Sequence, residues 1–259
     1  MNALPLHGRF VWYELMTADR SASRAFYAEL FAWEWQDEDM GELGVYSMAH
    51  TGETYHAGMT SLPAPDVPTH WAAYVAVPDV DRACVQATEL GGSVVLAGTD
   101  IPKVGRFAIL KDPSGGVIYP FAGANPPQPE TPEPAPAGYF CWNELLTTDV
   151  AACETFYTGI FGWSAKANEM PGLGPYWIFS RGEKMECGMM PLPEQAQQGG
   201  APSHWLPYVA VTDLDATVKQ AGELNAKVYC QPTDIPQMGR FAVLADPQGA
   251  VFAVFQSVR

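Results

Sequence analysis

Basic residues are scarce in this sequence. Its 259 residues include 14 lysines and arginines against 29 aspartates and glutamates, which gives a formal net charge of −15 and an isoelectric point near 4.6. Nucleic acids and anionic membranes are bound through basic surfaces. The charge balance therefore argues against both classes of partner.

Long apolar runs and paired cysteines are also lacking. No stretch approaches the roughly 18 apolar residues of a membrane-spanning helix, and the first ten residues carry no apolar segment of the kind found in secretory signals. The five cysteines form no Cys-x-x-Cys motif. These features predict a cytoplasmic protein with reduced thiols.

Long segments of the chain repeat each other. His70–Phe121 contains H-W-A-A-Y-V-A-V, T-D-I-P-K-V-G-R-F-A and D-P-S-G, and His204–Phe255 contains H-W-L-P-Y-V-A-V, T-D-I-P-Q-M-G-R-F-A and D-P-Q-G. Ahead of them, W-Y-E-L-M-T-A-D at Trp12–Asp19 recurs as W-N-E-L-L-T-T-D at Trp142–Asp149. The offset changes from 130 to 134 residues, which places a net insertion of four residues in Glu194–Ala201. The chain therefore consists of two copies of one duplicated sequence unit.

Each copy is itself made of two similar modules. In the first copy, a β-rich run at Phe10–Met16 precedes a helical pattern at Ser21–Phe31, and the order restarts with a strand at His70–Val77 and a helix at Val80–Leu90. An aspartate stands before each helix, where an N-cap is expected. Short strands complete the pattern, so the sequence predicts four βαβββ modules.

A proline-rich segment separates the two copies. Residues 124–136 read A-N-P-P-Q-P-E-T-P-E-P-A-P, and this density of proline is typical of a semi-rigid linker rather than a packed core. The predicted domains are therefore 1–123 and 137–259.

These modules and motifs resemble the vicinal oxygen chelate superfamily, which includes glyoxalase I, bleomycin-resistance proteins and extradiol dioxygenases. The resemblance is nearest to two-domain glyoxalase/bleomycin-resistance proteins whose halves each carry T-D-I-P-x-x-G-R-F-A. It implies an α+β fold in which the four βαβββ modules pair into two half-open barrels, each with a cleft on its concave side. Because one scaffold hosts several chemistries, the resemblance specifies the fold more closely than the reaction.

Catalytic members of the superfamily hold a divalent metal in the cleft, and the resemblance implies where its ligands would stand. The implied positions on the first and last strands of the modules are occupied by Trp12, Ala72, Tyr119, Trp142, Leu206 and Ala253. None of these side chains supplies the imidazole or carboxylate that such a cation needs. We therefore assign no metal site and name no cofactor, and this departure argues against glyoxalase I and dioxygenase chemistry.

Strand alternation places other polar residues on the cleft faces. Glu14 and His70 fall there in the first half, and Glu144 and His204 repeat them in the second. Three interpretations stay open for these catalytic candidates. They are displaced metal ligands, for which His56 is the nearest third ligand; or a general acid–base pair for metal-free proton transfer; or hydrogen-bonded partners that stabilise the barrel mouth or orient a ligand.

Aromatic and arginine side chains complete the candidate site. By alternation Trp12, Tyr74, Tyr119, Trp142 and Tyr208 line the cleft side, which predicts a pocket for flat, partly apolar molecules.

The repeated G-R-F-A motif adds Arg106 and Arg240. Each could bind a ligand carboxylate or phosphate. Alternatively, Arg106 forms an ion pair with Asp100 or Asp112, and Arg240 forms the equivalent pair with Asp234 or Asp246.

Two functions follow from this reasoning. The first is a binding protein that sequesters a small molecule, as the bleomycin-resistance branch does. The second is a glyoxalase-like (lyase or isomerase) or hydroxylase-like enzyme that uses the Glu and His candidates, with or without a non-standard metal. In either case we expect a small-molecule partner, pairing of the two domains within the chain, and a monomer or homodimer.

Overall fold

The computed structural model describes residues 6–41, 44–125, 129–170 and 174–258. Residues 126–128 of the predicted linker lie outside this range. In the first half the elements are β1 (Phe10–Thr17), α1 (Arg20–Phe31), β2 (Glu34–Asp39), β3 (Val45–Thr51), β4 (Thr54–Ser61), β5 (His70–Ala76), α2 (Val80–Glu89), β6 (Ser93–Ile101), β7 (Gly105–Lys111) and β8 (Val117–Gly123).

The second half repeats this order with one addition. Its elements are β9 (Phe140–Thr147), α3 (Val150–Phe161), β10 (Ser164–Met170), β11 (Gly174–Arg181), β12 (Lys184–Pro191), α4 (Glu194–Gln198), β13 (His204–Ala210), α5 (Leu214–Glu223), β14 (Lys227–Ile235), β15 (Gly239–Ala245) and β16 (Val251–Ser257). The short helix α4 occupies the segment identified as the insertion. The prediction of four βαβββ modules is confirmed.

The strands form two sheets with the same order. The first sheet runs β2-β3-β4-β1-β5-β8-β7-β6 and the second runs β10-β11-β12-β9-β13-β16-β15-β14. Within each module the first strand pairs in parallel with the last, as β1 does with β4 and β5 with β8, while the remaining pairs are antiparallel. Each module is thus a small mixed sheet of four strands, in which the first strand lies beside the last.

The four long helices begin as the sequence indicates. Each N-cap aspartate accepts a hydrogen bond from the backbone N–H three residues further along, which satisfies a donor that the first helical turn leaves unpaired. α1 buries Phe26, Tyr27 and Leu30 on one face, and this face follows the spacing that predicted it. Among the described residues no helix is long and apolar enough to cross a membrane.

Two local features lie outside the sequence patterns. The strands β2 and β10 are not predicted, because they are mostly exposed; their backbones pair along β3 and β11. The Thr-Asp-Ile of each T-D-I-P motif ends a strand, β6 or β14, where Asp100 pairs with Arg106 and Asp234 with Arg240 in the ladder.

Two compact units are present, and each draws on both halves of the sequence. The first compact unit comprises Met1–Val11, Ala73–Pro129 and Trp142–Trp205, and the second comprises Trp12–Ala72, Glu130–Cys141 and Leu206–Arg259. The domain boundaries that the linker predicts follow the sequence repeat, whereas these units follow packing. Each unit contains one long helix from each half.

A buried hydrogen-bond chain joins the two halves inside the second compact unit. Trp71 Nε1 donates to the Tyr27 hydroxyl at 3.0 Å, and this hydroxyl donates to Asp246 Oδ2 at 3.0 Å. Asp246 Oδ1 accepts from the backbone N–H groups of Gln248 and Ala250 in the D-P-Q-G turn. Burial raises the pKa of the Asp246 carboxyl, so its hydroxyl and amide donors offset a desolvation cost.

The first compact unit repeats this arrangement. Trp205 Nε1 donates to the Tyr157 hydroxyl at 2.9 Å, and the hydroxyl donates to Asp112 Oδ2 at 2.8 Å. Asp112 is 3% exposed. Asp112 is one of the two ion-pair partners predicted for Arg106. It is instead hydrogen-bonded to Tyr157, a residue of the other half.

Removing one hydroxyl tests this chain. Tyr27→Phe leaves Trp71 Nε1 without its acceptor and Asp246 without one donor, both in a buried setting. We expect the free energy of unfolding to fall by about 1–3 kcal/mol, measured by urea denaturation. Tyr229→Phe is the matched control, since Tyr229 is 57% exposed, and it should change stability by less than about 0.5 kcal/mol. Equal effects of the two changes would contradict the assignment.

Candidate functional site

A tryptophan, a tyrosine and a glutamate form a hydrogen-bonded group in the second compact unit. Trp12 Nε1 donates to the Tyr46 hydroxyl at 2.8 Å, and that hydroxyl donates to Glu14 Oε2 at 3.4 Å. The hydroxyl of Thr60 donates to the other carboxylate oxygen, Glu14 Oε1, at 2.9 Å. We call Trp12, Tyr46 and Glu14 the first Trp–Tyr–Glu array.

The strands hold the first array through their register. Glu14 on β1 stands opposite Gly58 on β4, and Met48 on β3 stands opposite the same glycine. The opposite face of β1 carries Tyr13 and Leu15: Tyr13 stacks on Phe140 and Leu15 is fully buried in the core. Trp12 and Glu14 therefore point to the face away from that core, as strand alternation predicts.

Gly58 is required by the tyrosine ring. A methyl group at Gly58 would overlap the hydroxyl oxygen and the adjacent ring carbon of Tyr46. Only the absence of a side chain lets the ring cross β4 and bring its hydroxyl to the glutamate.

The second half builds the same group in the first compact unit. Trp142 Nε1 donates to the Tyr176 hydroxyl at 2.9 Å, and the Tyr176 hydroxyl bonds Glu144. Gly188 lies under the Tyr176 ring as Gly58 lies under Tyr46. Trp142, Tyr176 and Glu144 are the second Trp–Tyr–Glu array.

Tyr46 and Tyr176 are not among the site residues predicted from the sequence. The available signal was the repeat itself: Tyr46 and Tyr176, like Gly58 and Gly188, are separated by the same 130 residues as the two tryptophans. The tyrosines lie in short strands far from the conspicuous motifs, so no local pattern singled them out.

Both array tyrosines stay protonated over a wide pH range. Burial, and then the adjacent glutamate carboxylate, raise the pKa of Tyr46 well above its ordinary value of 10, and the same causes act on Tyr176. Glu14 is 9% exposed and Glu144 is 8% exposed. Each array thus presents a neutral phenol that donates to a nearly buried carboxylate.

The two arrays differ at one contact. Thr60 donates to Glu14, whereas the residue 130 positions later is Met190, which has no hydroxyl. The two glutamates therefore have different surroundings although the Trp and Tyr partners are shared.

The candidate histidines share one contact. His70 Nδ1 lies 2.8 Å from the carbonyl oxygen of Pro68, and His204 Nδ1 lies 2.8 Å from that of Pro202. Because a carbonyl oxygen only accepts, Nδ1 carries the proton and Nε2 is the basic nitrogen of the neutral ring. Burial lowers the pKa of His204. Whether these rings pair with Glu14 and Glu144 stays a prediction.

In the second module of each half, the predicted aromatic residues lie close to other aromatic rings. Tyr74 stacks at a tilt on Tyr119, with ring centroids 4.9 Å apart, and both side chains are almost fully buried. In the second half Tyr208 lies 6.2 Å from Phe241, and Ala253 occupies the position of Tyr119. Here too the halves share a framework and differ in one side chain.

The repeated arginines are held in surface ion pairs. Arg106 contacts Asp81 and Asp100, each at 2.9 Å. Arg240 likewise contacts Asp215 at 2.6 Å and Asp234 at 2.7 Å. The expected pairs with Asp100 and Asp234 are present.

The alternative partners, Asp112 and Asp246, were wrong, because both are buried on tyrosine hydroxyls. Asp81 and Asp215, in the first turns of α2 and α5, were not predicted as partners. In each guanidinium all three nitrogens donate to these carboxylates.

His56 lies away from the first array. A β-bulge places it as the extra residue between Tyr55 and Ala57 on β4, and its ring stacks on Trp33 and packs edge-on against Tyr139. Burial, and then His50, lower the pKa of His56 to about 4. The bulge thus removes the nearest third ligand from the displaced-metal interpretation.

The side chains present do not fit the metal of the superfamily. The implied ligand positions hold an indole already donating to Tyr46, a buried phenol stacked on Tyr74, and aliphatic residues. Within the part of the chain that is described, no three His, Cys, Asp or Glu side chains are grouped to hold a metal ion. The implied positions therefore offer no ligand set for a hard divalent cation.

Comparisons with known sequences agree with the repeat. A family model described as a glyoxalase-like domain matches residues 12–118 and again 140–255. The chain is 36% identical over 256 residues to "Putative glyoxylase CFP32" of Mycobacterium tuberculosis, covering 95% of this chain and 93% of that protein. It is 30% identical over 265 residues to "Anthracycline biosynthesis protein DnrV" of Streptomyces peucetius, covering 96% and 93%.

Solved structures show the same fold. The 2,3-dioxygenase LapB from Pseudomonas sp. KL28 superposes with a TM-score of 0.64 at 13% identity, covering 98% of this chain and 94% of that one. The Mn(II)-bound glyoxalase from Novosphingobium aromaticivorans gives 0.60 at 14% identity, covering 99% and 83%. At such identities the likeness is one of fold alone. It confirms the predicted α+β architecture of paired βαβββ modules.

A single methyl group tests the first array. Gly58→Ala should displace the Tyr46 ring, break its bond with Trp12 and lower the free energy of unfolding by about 1–3 kcal/mol. Urea denaturation and native tryptophan fluorescence report the two effects. Gly222→Ala is the control, because its added methyl group, near the end of α5, has no heavy atom within 4 Å; stability should be unchanged or slightly raised. An unaltered protein after Gly58→Ala would refute the described packing.

Proposed function

Since this chain belongs to the glyoxalase-like domain family of the vicinal oxygen chelate superfamily, we propose that it binds a small, planar, partly apolar molecule against its Trp–Tyr–Glu arrays. The observation that carries this proposal is the recurrence of the complete array, including the glycine that admits the tyrosine, in both halves. A ligand-binding role explains why indole, phenol and carboxylate are kept together.

The chemistry of the array suits such a ligand. Trp12 and Tyr46 are only partly buried, so their rings have surface left for a flat aromatic partner. Glu14 accepts hydrogen bonds from Tyr46 and Thr60. A ligand hydroxyl or N–H group is a donor of the same kind, so a carboxylate acceptor suits such a ligand.

The relatives support the ligand class. One protein that is 30% identical over almost the whole chain is named for anthracycline biosynthesis, a process whose products contain fused aromatic rings with hydroxyl groups. A planar hydroxylated ring system matches the indole face and the carboxylate acceptor. We take this chemical class, rather than any particular compound, as the proposed ligand.

A second candidate function is proton transfer on the bound molecule. The observation that favours it is the contact of Nδ1 with a backbone carbonyl in both His70 and His204, which makes Nε2 the basic nitrogen of each ring. In this proposal the rings act with the carboxylates of Glu14 and Glu144. In such a step the base takes a proton from a ligand O–H or activated C–H, and the electron pair of that bond stays on the ligand. The proton returns from the same base to another ligand atom, so no co-reactant is needed.

Tryptophan fluorescence tests the binding proposal. The probe is 1,8-dihydroxyanthraquinone, titrated into the full chain. We expect saturable quenching, because the ligand would lie on Trp12 and Trp142. The double change Glu14→Gln with Glu144→Gln keeps the shape and removes the charge, and it should weaken binding by about tenfold, the equivalent of about 1.4 kcal/mol.

Glu53→Gln is the matched control, since Glu53 is exposed in the turn between β3 and β4 and its change should leave affinity unaltered. Unchanged affinity in the double variant, or the absence of saturable quenching, would refute the proposal. Intact affinity with loss of proton exchange in His70→Ala, followed by NMR of the bound probe, would support the second candidate.

A further inference from the structure

A cavity of about 230 Å³ lies in the first compact unit between α2 and the carboxyl-terminal end of α3. None of its lining residues belongs to either array. Its polar lining includes His7, Arg82 and Gln86, and its apolar lining includes Val77, Ala83 and Ile160. Since one water takes about 30 Å³ of liquid volume, the cavity has room for an organic molecule of a few carbons.

Arg82 differs from the other arginines of the described chain. Each of the others donates to a named partner: Arg9 to Pro129, Arg20 to Ser47, Arg24 to Asp37, Arg106 to Asp81 and Asp100, Arg181 to Glu186, and Arg240 to Asp215 and Asp234. Within the described ranges, no hydrogen bond or ion pair engages the guanidinium of Arg82. Arg82 is exposed, so its guanidinium lies at the edge of the cavity, where it can contact both solvent and a bound molecule.

His7 places a second unsatisfied group at the same cavity. Its Nδ1 atom is buried and has no hydrogen-bond partner among the described residues, and its ring lies against Gly162 at the end of α3. Burial, and then the nearby positive charge of Arg82, lower the pKa of His7. A buried polar atom without a partner is rare in native proteins and calls for an explanation.

The two halves of the chain share the backbone framework around this cavity but differ in the side chains that line it. The scaffold is the same in the other compact unit: Gln86 Nε2 donates to the carbonyl of Gly159, and Gln220 Nε2 donates to that of Glu29.

Only the side chains differ. By the repeat offsets, His7, Arg82, Gly159 and Gly162 stand where the other half has Ala137, Ala216, Glu29 and Ala32. The cation and the imidazole are thus found together at one of the two equivalent places, where Gly162 allows the His7 ring to approach the end of α3.

From these observations we infer that the cavity is a binding site for a short-chain monocarboxylate. The carboxylate accepts hydrogen bonds from the Arg82 guanidinium and from the His7 ring, and the short alkyl chain packs on Val77, Ala83 and Ile160. Asp79, which also lines the cavity, accepts from the backbone N–H of Arg82 and restricts the site to ligands with a single negative charge. This site does not depend on the function proposed for the arrays.

Titration of the full chain with butyrate tests the inference. Histidine ring resonances are followed by NMR, and the His7→Gln variant identifies the His7 signal. We expect a saturable shift of His7 with butyrate and at least tenfold weaker binding of butyramide, which has the same shape without the charge. Arg82→Ala should weaken butyrate binding at least tenfold with an unchanged melting temperature, because its guanidinium bonds no other described side chain.

Arg9→Ala is the matched control. Arg9 belongs to the same compact unit, and its guanidinium bonds the carbonyl of Pro129 at 2.8 Å, so butyrate affinity should stay the same. No saturable shift of His7, or equal affinity in Arg82→Ala and the parent chain, overturns the site. Inorganic phosphate binding as tightly as butyrate overturns the assignment of the apolar chain.

Discussion

A buried hydrogen bond from a helix tyrosine to the aspartate of a D-P-x-G turn holds each compact unit together. Tyr27 reaches Asp246 in one unit and Tyr157 reaches Asp112 in the other, so each bond joins residues from different halves of the chain. Once a buried carboxylate has been desolvated, it must keep its donors. The two halves are therefore linked by polar contacts whose loss is costly, with aromatic rings packed around them.

On this scaffold the duplication keeps one set of residues and varies another. The tryptophan, tyrosine, glutamate and glycine of the arrays are the same in both halves, whereas Thr60 corresponds to Met190 and Tyr119 to Ala253. Shared residues set the position of the carboxylate, and the varied ones change what surrounds it.

More of the fold than of the candidate site can be predicted from the sequence. Repeated motifs, N-cap aspartates and the tight turns predict every long helix and the βαβββ order, because these features depend on local chemistry. The exposed strands β2 and β10 are not predicted because their pairing depends on backbone groups. The positions of the Tyr46 and His56 rings are not predicted for another reason. A glycine on the neighbouring strand determines where the Tyr46 ring lies, a β-bulge determines where the His56 ring lies, and neither effect is visible in a linear pattern.

The central proposal is that carboxylates hydrogen-bonded to tyrosine, rather than metal ligands, form the binding sites. Metal content measured by mass spectrometry tests this most directly, on untagged protein incubated with nickel, zinc, manganese or, anaerobically, ferrous iron. The account predicts no stoichiometric metal and no difference between the parent chain and the Glu14→Gln and Glu144→Gln variants. One tightly held metal per half, lost in these variants, would contradict it.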